Sequence, residues 1–381
     1  MKLYDLNEFL RLSAVLNYQL AAEEIGRENI LNIILNYHRI PEQHRKILLE
    51  ILAYLQAAYG VKKRRLGPAA VLHPIRAAAI LARAADSPCL LDLLTVLLHD
   101  KLEDLTEKSM GELDFQRLDP ICQASLDKLG PDDSALLADR LQSLTRPDNG
   151  ETYNHYVGRM LTDSPHSLEV VRAKLADRLD NTLDMRIDIQ DPLEGANFFQ
   201  ELFQSLFLKN YAGYHTYLDH PHRSPLNGVK RLYQLFKNTV LMSLIRQTKV
   251  GLDDKIASGL FKALASATMR EAERIVLHVF AYHYPDLVRQ RECILSAMEY
   301  CYAGHISEVT APTLGHPLDG LFQKTFSLLD SADRDLNMAQ LYADKPRMIQ
   351  AGLAFVAICM GFLNDPDFYV HGVTADGIRP E

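Results

Sequence analysis

Apolar residues along this chain recur at spacings of three and four, and the strict alternation of a half-buried strand is hard to find anywhere. A helix with a period of about 3.6 residues puts such positions on one face, whereas a strand needs a period of about two. The expectation is therefore an all-α fold. Leu6 to Ile25, Ile30 to Tyr37 and Glu42 to Ala58 follow the helical pattern, and Pro41 suits a helix start. With 381 residues and 48% apolar content the chain can bury a large core, and the length favours about two domains. No period of about 20–50 residues repeats. A break is expected at Gln190-Asp191-Pro192-Leu193-Glu194-Gly195, and a second loop from His220 to Gly228. Residues 1–190 are thus expected to form one helical domain and 195–381 a second.

Charge and cysteine usage narrow the class. A net charge of −8, from 41 basic and 49 acidic side chains, argues against a general nucleic-acid binder. Cys89, Cys122, Cys293, Cys301 and Cys359 show no Cys-x-x-Cys spacing, so reduced thiols in a reducing compartment are expected. Met1 to Asp5 contains an acid where a signal peptide needs an apolar run, and the location expected is cytoplasmic. The apolar stretch Gly352 to Leu363 is shorter than the roughly 20 residues a bilayer requires and reads as a buried helix.

Against this background four short stretches stand out: His73-Pro74, His99-Asp100, Glu103-Asp104 and Lys174 to Leu179. Imidazole and carboxylate hold hard or borderline divalent metals, and further carboxylates nearby can manage a proton. His99-Asp100 ends a run of Leu90, Leu91, Leu93, Leu94, Val96, Leu97 and Leu98 that is apolar enough to be buried on most sides. A carboxylate there needs a cation or an arginine. Asp177 has similar company in Val170, Val171, Leu175 and Leu179, with Lys174 and Arg178 as alternative partners. No breaker interrupts the segment from Leu94 to Thr106. As one helix it would place Glu103 on the face of His99 and Asp104 on that of Asp100. The set reads as a metal-dependent phosphohydrolase built between packed helices. Lys62, Lys63, Arg64 and Arg65 add donors for phosphate oxygens and planar groups for a purine.

From about Ala57 to Met185 the chain resembles the HD-domain hydrolases of the RelA/SpoT type, which remove the 3′-pyrophosphate of (p)ppGpp. The shared order is Arg64-Arg65, Gly67, His73-Pro74, His99-Asp100-Lys101-Leu102-Glu103-Asp104 and Lys174 to Asn181. That resemblance implies an HD-type helical hydrolase module. It makes His73, His99, Asp100 and Asp177 ligands of a divalent metal, manganese being the usual ion. Glu103 and Asp104 become the pair that handles the attacking water, Arg64 and Arg65 line the nucleotide pocket, and Asn181 contacts the nucleotide near its ribose. Departures fall at Pro68, Ala69 and Ala70, at Leu105, and at Thr182, Leu183, Asp184 and Met185, where the family often has Met-Arg-Thr-Leu. Asp184 would repel phosphate if it pointed inward.

The second half shows amphipathic patterns at Leu232 to Leu244, Ile256 to Met269, Ala272 to Tyr284 and Arg289 to Tyr302. It lacks the strand–helix alternation of the family's synthetase domain, so hydrolysis without synthesis is expected. His278 with His283 reads as packing, and His220 with His222 as a surface loop. Tyr282, Tyr284, Tyr300 and Tyr302 suit either a helical core or a partner-facing surface. The extra helices are a candidate dimerisation or regulatory module. An HD phosphohydrolase acting on another nucleotide is the alternative activity, and a non-catalytic nucleotide sensor the third reading.

Overall fold

The computed structural model describes residues 6–20, 23–36, 38–60, 62–64, 69–147, 150–185, 198–207, 227–311, 315–328 and 330–379. Among them helices dominate, and one antiparallel hairpin, β1 (Val373–Thr374) with β2 (Gly377–Ile378), provides the strand pairing. The chain is all-α. It divides into two compact units, the first comprising Met1–Asn149, Arg159–Asp184 and Lys249–Ala263, the second Gly150–Gly158, Met185–Thr248 and Leu264–Glu381. The breaks expected at 190–195 and 220–226 lie outside the described residues.

The first unit runs through α1 (Leu6–Leu20), α2 (Glu23–Leu35), α3 (Glu42–Tyr59), α4 (Leu72–Ala84), α5 (Leu90–Leu97), α6 (Lys101–Asp104), α7 (Glu107–Met110), α8 (Glu112–Leu126), α9 (Pro131–Leu144), the end of α10 (Tyr153–Thr162) and α11 (Ser167–Asp184). The single helix expected over Leu6 to Ile25 is instead two, because α1 stops at Leu20 and α2 starts at Glu23. Pro41 caps α3 as expected. The core is α4, buried at every position from Leu72 to Ala82 and packed against α1, α2, α5 and α11. Its run Ala77-Ala78-Ala79 has short side chains that let neighbouring helices approach closely. Ile75, Ile80, Leu94, Val171 and Leu175 are all inaccessible to solvent, and burying each is worth about 1.5–3 kcal/mol. Arg140 and Arg172 both pair with Asp92, at 3.0 and 3.2 Å, and Arg172 also holds Asp254 at 2.6 Å. These contacts tie α5, α9, α11 and the segment from Lys249 together.

The expected continuous helix from Leu94 to Thr106 is broken. α5 ends at Leu97, Leu98 leaves the helical region at φ −107° and ψ 6°, and a turn carries His99 and Asp100 before α6. The cause is local. His99 Nδ1 takes the Val96 carbonyl at 2.7 Å, the acceptor that the Asp100 N–H would use in a continuing helix.

In the second unit, α12 (Phe198–Phe207), α13 (Gly228–Thr248), most of α14 (Lys255–Tyr282), α15 (Leu287–Tyr302), α16 (Ser331–Ala343) and α17 (Lys345–Asn364) precede the hairpin. The two helices expected at Ile256 to Met269 and Ala272 to Tyr284 are the single α14, since nothing between Met269 and Ala272 breaks a helix. Phe236, Phe322, Phe326 and Phe355 interlock in its core, with centroids 5.1 to 5.5 Å apart for the Phe236–Phe322, Phe236–Phe326 and Phe322–Phe355 pairs. Gly352 on α17 admits Val276 so closely that a Cβ there would lie 2.5 Å from its Cγ2. By length and composition α17 could cross a membrane, yet 67% of its apolar window is buried within the protein. All five cysteines are free. His278 packs on Tyr282 and His283, Tyr300 is buried, and Tyr302 is exposed.

Candidate metal centre

Three pieces of the first unit bring the expected ligands together. His73 sits in the first turn of α4, His99 and Asp100 on the turn after α5, and Asp177 in the middle of α11. On α11 the residues Asp177, Asp180, Asn181 and Asp184 fall three, four and seven apart, which is one helical face. On α4, Arg76 follows His73 by three and shares its face. The strongest packing of α11 in this unit is against α4, so these two polar faces meet inside an otherwise apolar interface.

His73, His99 and Asp177 are all buried and present ligand atoms within 4.8 Å of one another, an arrangement that could hold a metal ion. The two imidazole Nε2 atoms are 3.1 Å apart, and Asp177 Oδ1 lies 3.3 Å from His73 Nε2 and 3.7 Å from His99 Nε2. Asp100, on the more open side, places Oδ2 3.1 Å from His99 Nε2 and 3.4 Å from His73 Nε2. Donors bound at about 2.0–2.2 Å around one ion stand about 2.8–3.6 Å apart at tetrahedral or octahedral angles; four of the five separations fall in that range, and the fifth, Asp177 Oδ1 to His99 Nε2 at 3.7 Å, lies just beyond it.

The tautomers make the fit more telling. His99 Nδ1 faces the Val96 carbonyl at 2.7 Å, and a carbonyl only accepts, so Nδ1 carries the proton. His73 Nδ1 faces Asp180 Oδ2 at 2.6 Å and is protonated by the same logic. Both Nε2 lone pairs therefore point at each other and at carboxylate oxygens. Such a convergence of acceptors is stable only with added protons or a cation between them. Its proton affinity is high accordingly. Burial, the largest influence, and Arg64 push the His73 imidazolium down, yet the hydrogen bonds it donates to Asp100, Asp177 and Asp180 carry it up to about 9. His99 is lifted too, burial opposing and Asp100 then Asp177 prevailing. Burial would raise Asp177, but Lys174 and the two imidazoles hold it well below the usual carboxylate range. Lys174 Nζ reaches Asp177 Oδ2 at 2.8 Å, leaving Oδ1 toward the rings and the Asn181 amide.

No protein-family model, no curated protein and no solved structure matches this chain. What the site can do rests on its geometry.

Behind the cluster lies a charged layer that the sequence pattern did not single out. Asp180 and Arg76 are fully buried and joined twice, Nε to Oδ1 at 2.7 Å and Nη2 to Oδ2 at 3.1 Å. Arg76 Nη2 also donates to Asp184 Oδ1 at 2.7 Å, and its guanidinium carbon stands 4.8 Å from the Phe9 ring centroid. Arg64 reaches Asp180 at 3.3 Å, Asp184 at 3.4 Å, and the Asn181 amide oxygen. Arg64 and Asn181, expected to face a nucleotide, are thus engaged by the ligand helix itself. Asp184 points inward, and Arg76 with Arg64 neutralise it. Arg65, Gly67 and Pro68 lie outside the described residues. The signal available beforehand was the placement of Arg76 and Asp180 three residues beyond a ligand in apolar surroundings.

Glu103 and Asp104 follow on α6 and are exposed. The Asp104 N–H donates to the Asp100 carbonyl at 2.7 Å, keeping these two residues one helical turn apart, while Glu103 Oε1 accepts from the Arg146 N–H at 2.7 Å. Although both side chains reach solvent, partial desolvation is the main cause that raises both carboxyls above their ordinary values, and the charge of Asp100 adds to it. Tyr59, buried on α3, is also pushed up by burial and by Asp100 and Asp104, so its phenol stays neutral. A carboxyl that holds a proton more readily than usual is suited to accept one from water.

Proposed function

We propose that this chain is a divalent-metal-dependent phosphohydrolase of the alarmone type, which hydrolyses the 3′-pyrophosphate of (p)ppGpp to GDP or GTP and pyrophosphate and has no synthetase activity. The observation that carries the reading is the buried His73–His99–Asp177 group with both rings pinned through Nδ1. His73, His99, Asp100 and Asp177 would hold the ion, manganese being the one expected. When bound, a divalent cation supplies polarisation of a water toward hydroxide near neutral pH and counter-charge for phosphate oxygens. Glu103 or Asp104 takes the proton of the attacking water, which adds its oxygen to the departing pyrophosphate while a proton passes to the 3′-oxygen. Lys62 and Lys63, exposed ahead of Arg64, supply positive charge for a polyanion, and Lys62 acts electrostatically on Asp104. Among the described residues of the second half, 198–207, 227–311, 315–328 and 330–379, the regular elements are helices and one short hairpin.

A second reading, an HD phosphohydrolase acting on another nucleotide, is favoured by Asp184 and its hold on Arg64, which alter the part of the pocket where base and phosphates are expected. A substrate panel with manganese decides between them. Release of pyrophosphate from ppGpp supports the first, and release of phosphate or triphosphate from other nucleotides only supports the second. His99→Ala and Asp177→Ala should lose metal and activity together; an Asp177→Ala protein that retains its metal in full would refute the assignment of that ligand.

A further inference from the structure

We propose that Asp180, clamped by the buried Arg76, is the positioning residue of this centre: it fixes His73 in the tautomer that offers Nε2 and thereby sets how tightly the cluster takes a divalent cation. The inference rests on the metal-site reading above.

Asp180 is fully buried, and each of its oxygens is accounted for. Oδ1 receives Arg76 Nε at 2.7 Å, while Oδ2 receives Arg76 Nη2 at 3.1 Å, Arg64 Nη1 at 3.3 Å and His73 Nδ1 at 2.6 Å. A guanidinium stays charged throughout the accessible pH range, so its bidentate partner remains a carboxylate and can only accept. The proton of His73 is therefore held at Nδ1, and Nε2 turns to His99 and Asp177. Because Asp180 meets the opposite edge of the ring from Nε2, it acts on the ion through His73 and not as a ligand. Arg76 is itself aimed by Asp184 at 2.7 Å and by the Phe9 ring at 4.8 Å, which removes the freedom that would let the clamp rotate away. The second imidazole is built differently: His99 Nδ1 donates to a backbone carbonyl that no side-chain change removes. The site thus carries its own control. Outer carboxylates of this kind are worth about 10–100-fold in metal affinity.

The test titrates Co²⁺ into the chelator-treated full-length protein. Affinity is read by visible absorption and calorimetry, and the exchangeable Nδ1–H protons of the ligating histidines by their paramagnetically shifted NMR signals. Asp180→Asn should weaken Co²⁺ binding about 10–100-fold and displace or broaden the His73 signal while that of His99 stays. Asp184→Asn, which removes a charge but leaves an amide oxygen to accept from Arg76 and does not touch His73, should change affinity less than about threefold. Should Asp180→Asn fail to fold, the double variant Arg76→Met/Asp180→Asn removes both charges and carries the same expectation. Unchanged affinity with both signals in place overturns the proposal, and so does Asp184→Asn weakening binding as much as Asp180→Asn. A wild-type protein that takes up no Co²⁺ overturns this proposal and the metal reading together. If Asp180→Asn weakens binding as expected while the loaded wild type hydrolyses no nucleotide, the positioning role stands and only the hydrolase reading falls.

Discussion

Replacing Arg76 by alanine should be among the most damaging single changes in the first unit. Its side chain is 0% exposed and makes three short contacts, to Asp180 at 2.7 and 3.1 Å and to Asp184 at 2.7 Å. Removal leaves two buried carboxylates, and breaking such a pair costs about 3–5 kcal/mol. Arg64 remains near both, at 3.3 and 3.4 Å, and being partly exposed it compensates only in part. The expected loss is therefore about 3–4 kcal/mol. In a unit of about 150–250 residues each kcal/mol moves the midpoint by about 2–4 °C, so melting should fall by about 6–16 °C. The measurement is thermal and urea unfolding by circular dichroism on chelator-treated protein near neutral pH. Arg76→Ala combined with Asp180→Asn and Asp184→Asn should recover part of the loss, because no uncompensated charge is then left in the interior. A loss below about 1 kcal/mol, the range of exposed ion pairs, would refute the reasoning, since it would mean that water reaches these carboxylates.

Glu103→Gln should bind metal with wild-type stoichiometry and turn over about 10²–10⁴-fold more slowly, in line with loss of a general base; activity within tenfold of wild type would leave the water to Asp104. Without metal, His73 is raised from 6.5 to about 9, so its share of stability is full below pH 6.5 and is lost as pH rises from 6.5 to about 9. Asp100 and Asp177 are lowered, so theirs is present above pH 3.8 and lost on further acidification. Chelator-treated protein should accordingly melt lower at pH 9 than at pH 6.5, whereas metal-loaded protein, which needs neutral rings, should not; a flat or rising profile without metal contradicts the assignment. In the second unit Gly352→Ala should destabilise by about 1–3 kcal/mol through overpacking against Val276. Adding Val276→Ala should relieve it in denaturant melts, and no relief would place the strain elsewhere.

Much of this was legible in the residues. The helical spacing from Glu42 onward, with Pro41 ahead of it, marks a helix that the structure runs from Glu42 to Tyr59. His73, His99 and Asp177, distant in sequence, do converge. The break after Leu97 was not legible, because no glycine or proline announces it and the competing acceptor is a backbone carbonyl taken by a side chain. The union of the patterns at Ile256 to Met269 and Ala272 to Tyr284 into one helix likewise depended on continuity that periodicity alone does not report.

By itself the amino-acid order determined the all-α class, because a period near 3.6 can bury its apolar face only as a helix, and it placed imidazoles and carboxylates where burial would leave them in want of a cation. Which groups stand behind them was decided only by tertiary packing. Arg76 and Asp180 lie 104 positions apart, and neither is remarkable along its own helix. They become a clamp because α4 and α11 press together closely enough to exclude water, and in that dry contact each charge requires the other.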